Sequence, residues 1–195
     1  MNKSKKTTQK EESKQRILNV AARLFRRQGF KATGVDQLMG EAGLTAGAFY
    51  AHFRSKEDLF EQTLARALED SKKLLLKNTD HLQGDKKNKA IFERYCSEAH
   101  RDFPDKGCVL PALASEIGKG TKQSKIMVAN YIEKWAEFIC EHLSENISRE
   151  QRRVLALQMI SRSVGAIILS RVVGGALSKD ILDSAREVDL DLSLN

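Results

Sequence analysis

Between Gly43 and Phe60 the sequence reads GLTAGAFYAHFRSKEDLF. The groups able to make directed polar contacts are few, chiefly the Tyr50 phenol, the His52 imidazole and the Lys56 ammonium. On a helix of 3.6 residues per turn, Phe49 and Phe53 share one side. Gly47, Ala48 and Ala51 occupy the opposite side, and Tyr50 and His52 sit on the two flanks. A solvated helix face is normally filled with Lys or Glu, which are good helix formers. A bare face between two polar flanks suits close approach to another surface, with backbone N–H groups and flanking side chains meeting its anions.

Charge narrows what that surface is. Residues 1–56 hold 12 Lys and Arg against 4 acidic residues, whereas the remainder holds 21 against 22. The whole net charge of +7 therefore resides in the first 56 residues. Arg23, Arg26, Arg27, Lys31, Arg54 and Lys56 fall within patterned sequence, which favours a polyanion, and nucleic acid first among these. Hydrophobic residues at 41% and charged residues at 30% exclude a disordered chain. The start has no apolar segment behind its lysines, and the longest apolar run, Val164–Leu169, is too short to span a bilayer. Three cysteines without paired spacing suit a reducing cytoplasm, and with four scattered histidines they form no metal motif.

These residues must be positioned by helices, because no stretch alternates with period two. Ile17, Leu18, Ala21, Leu24 and Phe25 line one face of a first helix, ended by the glycine of QGF. Thr33 is placed to cap a second helix, with Asp36 in a capping-box arrangement. Gly43 ends it, and Thr45 caps a third. Ser55 caps a fourth, with Asp58 at its third position, running to Lys77. Further helices are predicted over Lys86–His100, Val109–Ile117, Thr121–Leu143, Ser148–Val173 (with Gln151 completing a capping box) and from Lys179 towards Leu190. The fold class is all-α, with about nine helices: an N-terminal three-helix helix-turn-helix DNA-binding domain, then a helical ligand-binding and dimerisation domain. The boundary is expected at residues 56/57.

Two short helices about a glycine turn, in the basic part of the chain, form a helix-turn-helix. Small residues let the second helix enter the DNA major groove deeply. The segment VDQLMGEAGLTAGAFYAHFRSKEDLF resembles the DNA-binding segment of the TetR family of bacterial transcriptional regulators. The matching positions are Ala42-Gly43-Leu44-Thr45, Gly47, Phe49-Tyr50, His52-Phe53, Ser55-Lys56-Glu57 and Leu59-Phe60, and ILNVAARLFRRQGFKAT upstream matches the family's first helix. The resemblance is specific over Ser13–Phe60. It implies a homodimer on a palindromic operator and a recognition helix at Thr45–His52. Phosphate contacts would come from Thr33, Thr45, Tyr50, His52 and Lys56, and the DNA-binding set also includes Gln37, Ala46, Gly47 and Ala48. Gly34 stands where the family often has a phosphate-binding hydroxyl, and Ala46 and Ala48 replace longer polar side chains. Readout is thus expected to lean on thymine-methyl contacts from Ala48 and Thr45, and on a basic arm at Lys3, Lys5, Lys6 and Lys10.

Beyond Ser55 there is no catalytic constellation and no cofactor motif, so an enzyme is not expected. The helix Ser148–Val173 is apolar around most of its circumference, which implies burial against both the chain's own core and a second copy. Its dimerisation residues are expected to be Leu157, Ser161, Val164, Gly165, Ile168 and Val172. The resemblance implies an unknown small-molecule inducer, with a pocket expected among Phe92, Tyr95, His100, Phe103, Cys108, Met127, Tyr131, Trp135 and Met159. Many of these positions also suit ordinary core, and His100 suits a structural hydrogen bond. Cys108 follows a glycine, lies near Lys106 and precedes a helix start, features that lower a thiol pKa and would make it a redox or electrophile sensor. The first reading is nevertheless a small apolar residue closing the helix start, with the sensor as the alternative. The leading expectation is a cytoplasmic repressor released from its operator by an inducer.

Overall fold

The computed structural model describes residues 2–187, with side chains from Thr8 onward. Among them the order is α1 (Asn2–Gln28), α2 (Val35–Glu41), a 3₁₀ segment (Ala46–Ala51), α3 (Lys56–Leu76), α4 (Gly84–Tyr95), α5 (Glu98–Asp102), α6 (Leu110–Gly118), α7 (Lys122–Glu141), α8 (Arg149–Val173) and α9 (Gly175–Arg186). No strand occurs among these residues, as the absence of period-two patterning implies.

Local chemistry sets several boundaries. The Ser55, Thr121 and Ser148 hydroxyls each accept a bond from the backbone N–H three residues on, all at 3.1 Å. The Gln151 side chain returns the favour to the Ser148 N–H at 2.8 Å, completing the capping box. Such a cap is worth about 1 kcal/mol.

Elsewhere the boundaries move. The basic start is the first part of α1, supported one turn apart by Gln15 Nε2 donating to Glu11 at 2.7 Å. The side chains of Lys3, Lys5 and Lys6 lie outside the described residues, and Lys10 is exposed. The expected Lys86–His100 helix divides because Ser97 caps a new helix, accepting from the His100 N–H. The last helix starts at Gly175 rather than Lys179. Gly174 and Gly175 both take positive φ (63° and 58°), so the glycine pair reverses the chain within two residues.

Two apolar clusters hold the helices together. One joins Ile17, Leu24 and Phe25 of α1 to Phe49, Phe53 and the first half of α3, with Leu113 and Ile117 of α6. The other gathers α4, α7, α8 and α9 around Trp135, Ile139, Ile167 and Leu182. α3 and α6 contribute to both, through Leu75 and Leu110 in the second, so the two cores share these helices.

α8 is long and apolar enough to cross a membrane by length and composition. It packs instead against α7 and α9. It buries Ala156, Met159 and Ile167 while Val154, Ile168, Leu169 and Val172 remain exposed.

Candidate nucleic-acid interface and regulatory chamber

The stretch of small residues is built from its anchors outward. Phe49 and Phe53 are buried, with ring centroids 5.6 Å apart. Gly43 ends α2 at φ 67°, and the Leu44 N–H bonds back to Met39 O at 2.9 Å, fixing the turn. The segment Ala46–Ala51 is a 3₁₀ helix, not the α-helix expected from its wheel. Its tighter winding places Gly47 and Tyr50, three residues apart, along one edge. Thr45 stands at its N-cap without a side-chain cap bond.

Thr45, Ala46, Gly47, Tyr50 and Ala51 are exposed, and Ala48 is half-buried against the core. Tyr50 is 74% exposed although its ring packs edge-on against Phe49. A Cβ built on Gly47 would meet nothing within 4 Å. The chain's own packing therefore gives no reason for the missing side chain.

The flanks differ from expectation. His52 is half-buried, and its Nδ1 has no hydrogen-bond partner. Burial, with Lys10 and Lys14 nearby, holds its pKa below the ordinary imidazole value. Lys56 turns back, donating to Lys31 O at 3.5 Å and lying 4.4 Å from the Phe30 ring centroid. Burial lowers its pKa as well. Gln37 is exposed but engaged, accepting from Gln28 at 2.9 Å and donating to Glu41 at 3.3 Å. Glu41 in turn pairs with Arg23 at 2.6 Å.

Thr33 neither caps α2, whose N-cap is Gly34, nor offers its hydroxyl outward. It is fully buried, donating to Gly29 O at 2.7 Å and accepting from Gln28 at 3.3 Å. Its side chain closes the turn after α1 and is not available to a phosphate.

Two contacts with no local sequence signature tie this unit to the rest. The Glu116 carboxylate, on α6, accepts from the backbone N–H groups of Phe30 (2.8 Å) and Lys31 (2.9 Å). Arg26 on α1 donates to Asp105 O at 3.2 Å.

The residues expected to form a pocket are distributed over three spaces. A small chamber of about 30 Å³ is lined by Phe92, Tyr95, Cys108, Tyr131, Trp135 and Val164, among others. A cavity of about 240 Å³ next to it is lined by His100, Phe103 and Cys108, and an outer groove of about 480 Å³ between α3 and α7 by Met127, Tyr131 and Trp135. Met159 is core and lines none of them.

His100 is a clamp. Its Nε2 accepts from the Cys108 N–H at 2.9 Å, which leaves Nδ1 to donate to Tyr95 O at 2.7 Å, the neutral tautomer. Burial drives its pKa down to about 4. Cys108 is buried, and desolvation pushes its thiol pKa up, against the lowering expected at a helix start. Lys106 lies over the Phe103 ring, 4.9 Å from its centroid.

On α8, Val172 (76% exposed), Ile168 and Ser161 face outward, and Gly165 is half-buried. Leu157 and Val164 instead pack against the chain's own core, Val164 lining the chamber. Leu169, Val173 and Leu177 extend the exposed apolar face. No cluster of three or more metal-ligating side chains occurs among the described residues.

Residues 17–63 match the family described as bacterial regulatory proteins, tetR family. This part of the chain is a TetR-family DNA-binding segment. Among TetR-family and related helix-turn-helix proteins, the chain is 31% identical over 105 residues to the HTH-type transcriptional regulator YerO of Bacillus subtilis. It is 45% identical over 60 residues to the HTH-type transcriptional regulator AcrR of Shigella flexneri. These alignments cover 54% and 30% of the chain but only 36% and 28% of the two relatives. A TetR transcriptional regulator from Chloroflexus aurantiacus shares the fold across 92% of both chains, with a TM-score of 0.77 at 23% identity.

Proposed function

We propose that this TetR-family chain is a homodimeric transcriptional repressor that binds a palindromic double-stranded operator and is released by a small-molecule inducer. Residues 1–56 bind DNA in this reading, and residues 57–195 bind the inducer and dimerise, in the cytoplasm and without a membrane partner or enzymatic role. The observation that carries it is the bare edge at Gly47, open to solvent and unexplained by internal packing, on a segment anchored by Phe49 and Phe53. Major-groove docking needs such an edge. Thr45, Ala46, Gly47 and Ala48 then face bases, and Tyr50 holds phosphate. His52 and Lys56 swing out to do the same, and Gln37 supports them from α2.

The exposed apolar face of α8 and α9 supports a second copy as partner, because a contiguous apolar surface of this kind favours burial. A two-fold axis there sets two recognition segments about one DNA turn apart, ~34 Å.

Selection of random duplexes by the purified protein tests the reading. A palindromic consensus bound with steep salt dependence is expected. Binding without sequence preference, or to a single half-site by a monomer, would overturn it.

A further inference from the structure

Three polar tips in the chamber make no hydrogen bond of good geometry: the Tyr95 and Tyr131 hydroxyls, which lie near the Cys108 thiol, and the Trp135 indole N–H, which lies near the Tyr131 hydroxyl. Tyr95 and Trp135 are more than nine-tenths buried. Buried polar groups are nearly always paired, so three orphans in one place are unusual. The rest of the lining is apolar (Ile91, Phe92, Leu110, Ile139 and Val164 among it) apart from Cys108 and Ser163, whose hydroxyl is spent on Met159 O, and no charged side chain lines the chamber. An ionised group placed here would lose its hydration without gaining a counter-ion.

The chamber shares Leu75 and Cys108 with the 240 Å³ cavity, whose wall is mainly apolar and whose mouth is at the half-exposed Phe103. Neither cation on that cavity stands free for an anion. Arg94 is engaged by the Leu74 and Leu75 carbonyls, and Lys106 covers the Phe103 ring.

We infer that this site takes an uncharged, mainly apolar small molecule whose single carbonyl or hydroxyl group is held by Tyr95, Tyr131 and Trp135, with its body in the cavity beyond Cys108. The inference rests on the ligand-responsive reading above and names the class of molecule to which that reading applies. The indole N–H is a donor only, whereas a phenol can donate or accept. A carbonyl oxygen or a hydroxyl therefore matches the trio. A hydrocarbon leaves all three unpaired, and a carboxylate brings an uncompensated charge.

Trp135 is the chain's single tryptophan, so its emission reports on the chamber directly. The full chain, without DNA, is titrated with two matched sets of probes: cyclohexanone, methylcyclohexane and cyclohexanecarboxylate, and the corresponding decalin-sized ketone, hydrocarbon and carboxylate. Trp135 emission and Tm are followed in parallel. The expected result is saturable binding of a ketone, at least about 10-fold weaker for its hydrocarbon and its carboxylate. Tyr95→Phe and Tyr131→Phe, which keep the ring, each weaken the ketone about 5- to 10-fold. Failure of both ketones to bind, or equal binding of a carboxylate, would overturn the inference, as would full affinity in the double Tyr→Phe variant. The first of these outcomes leaves a buried water as the trio's partner. Operator affinity is measured separately. Ketone binding that leaves it unchanged keeps the ligand class and refutes inducer release, while release by a charged compound alone does the reverse.

Discussion

Glu116 and Phe30, on either side of the contact between α6 and the turn after α1, are joined by a 2.8 Å bond from the Phe30 backbone N–H to the Glu116 carboxylate. The neighbouring Lys31 N–H completes the grip at 2.9 Å. α6 begins beside the chamber at Leu110, so one nine-residue helix, about 13 Å long, touches both the chamber and the turn after α1. Glu116→Ala removes both acceptors. We expect a loss of about 1–2 kcal/mol in urea unfolding, together with an operator affinity that no longer responds to inducer. An unchanged response in a folded variant would remove Glu116 from the coupling.

Phe49 and Gly47 lie two residues apart and separate stability from binding. Phe49→Ala empties a buried site and should cost about 3–5 kcal/mol. Gly47→Ala places a methyl group in open space at an ordinary φ, so Tm should hold or rise slightly. Operator affinity, measured by fluorescence anisotropy, should nevertheless fall at least about 10-fold. Retained affinity would contradict the docking of this edge in the groove.

His100 makes stability depend on pH. Its folded pKa, about 4, lies below the ordinary 6.5, so between these values the unfolded chain binds the proton more readily. The stabilisation is complete above pH 6.5 and is lost as pH falls towards 4, by at most about 3 kcal/mol. His52, also depressed, adds to the slope. Urea midpoints for the parent and His100→Gln across pH 4–7 isolate the His100 share, and the variant should show a flatter profile.

Val172 is three-quarters exposed on the apolar face of α8. Val172→Glu should leave the monomer folded, because the side chain contacts little within its own chain, and should shift sedimentation towards the monomer. Operator affinity should then fall by far more than Gly47→Ala alone produces. A variant that remains dimeric would move the interface elsewhere.

What was legible in the sequence was local or periodic. Ser55 and Ser148 cap their helices because the interaction spans three residues. Phe49 and Phe53 face inward because their spacing leaves no other side. Thr33 carries the same capping signature, yet the Gly29 carbonyl claims its hydroxyl and packing buries it. Cys108 has the neighbours of an activated thiol, but desolvation outweighs them. Glu116 resembles any solvated helix acid, because its partners are backbone groups more than eighty residues away. The three-part division of the expected pocket likewise depends on how α3, α7 and α8 meet, which no single segment encodes.

The sharing of α3 and α6 between the two apolar clusters has a consequence for how the molecule comes apart. A chain whose halves met only at a linker would melt in two steps, the weaker half first. Here α3 cannot fray at Leu64 without exposing one core or at Leu75 without exposing the other. Heat should therefore reveal one cooperative unit, with amide exchange in α1 and in α7 slowing together when a molecule fills the chamber.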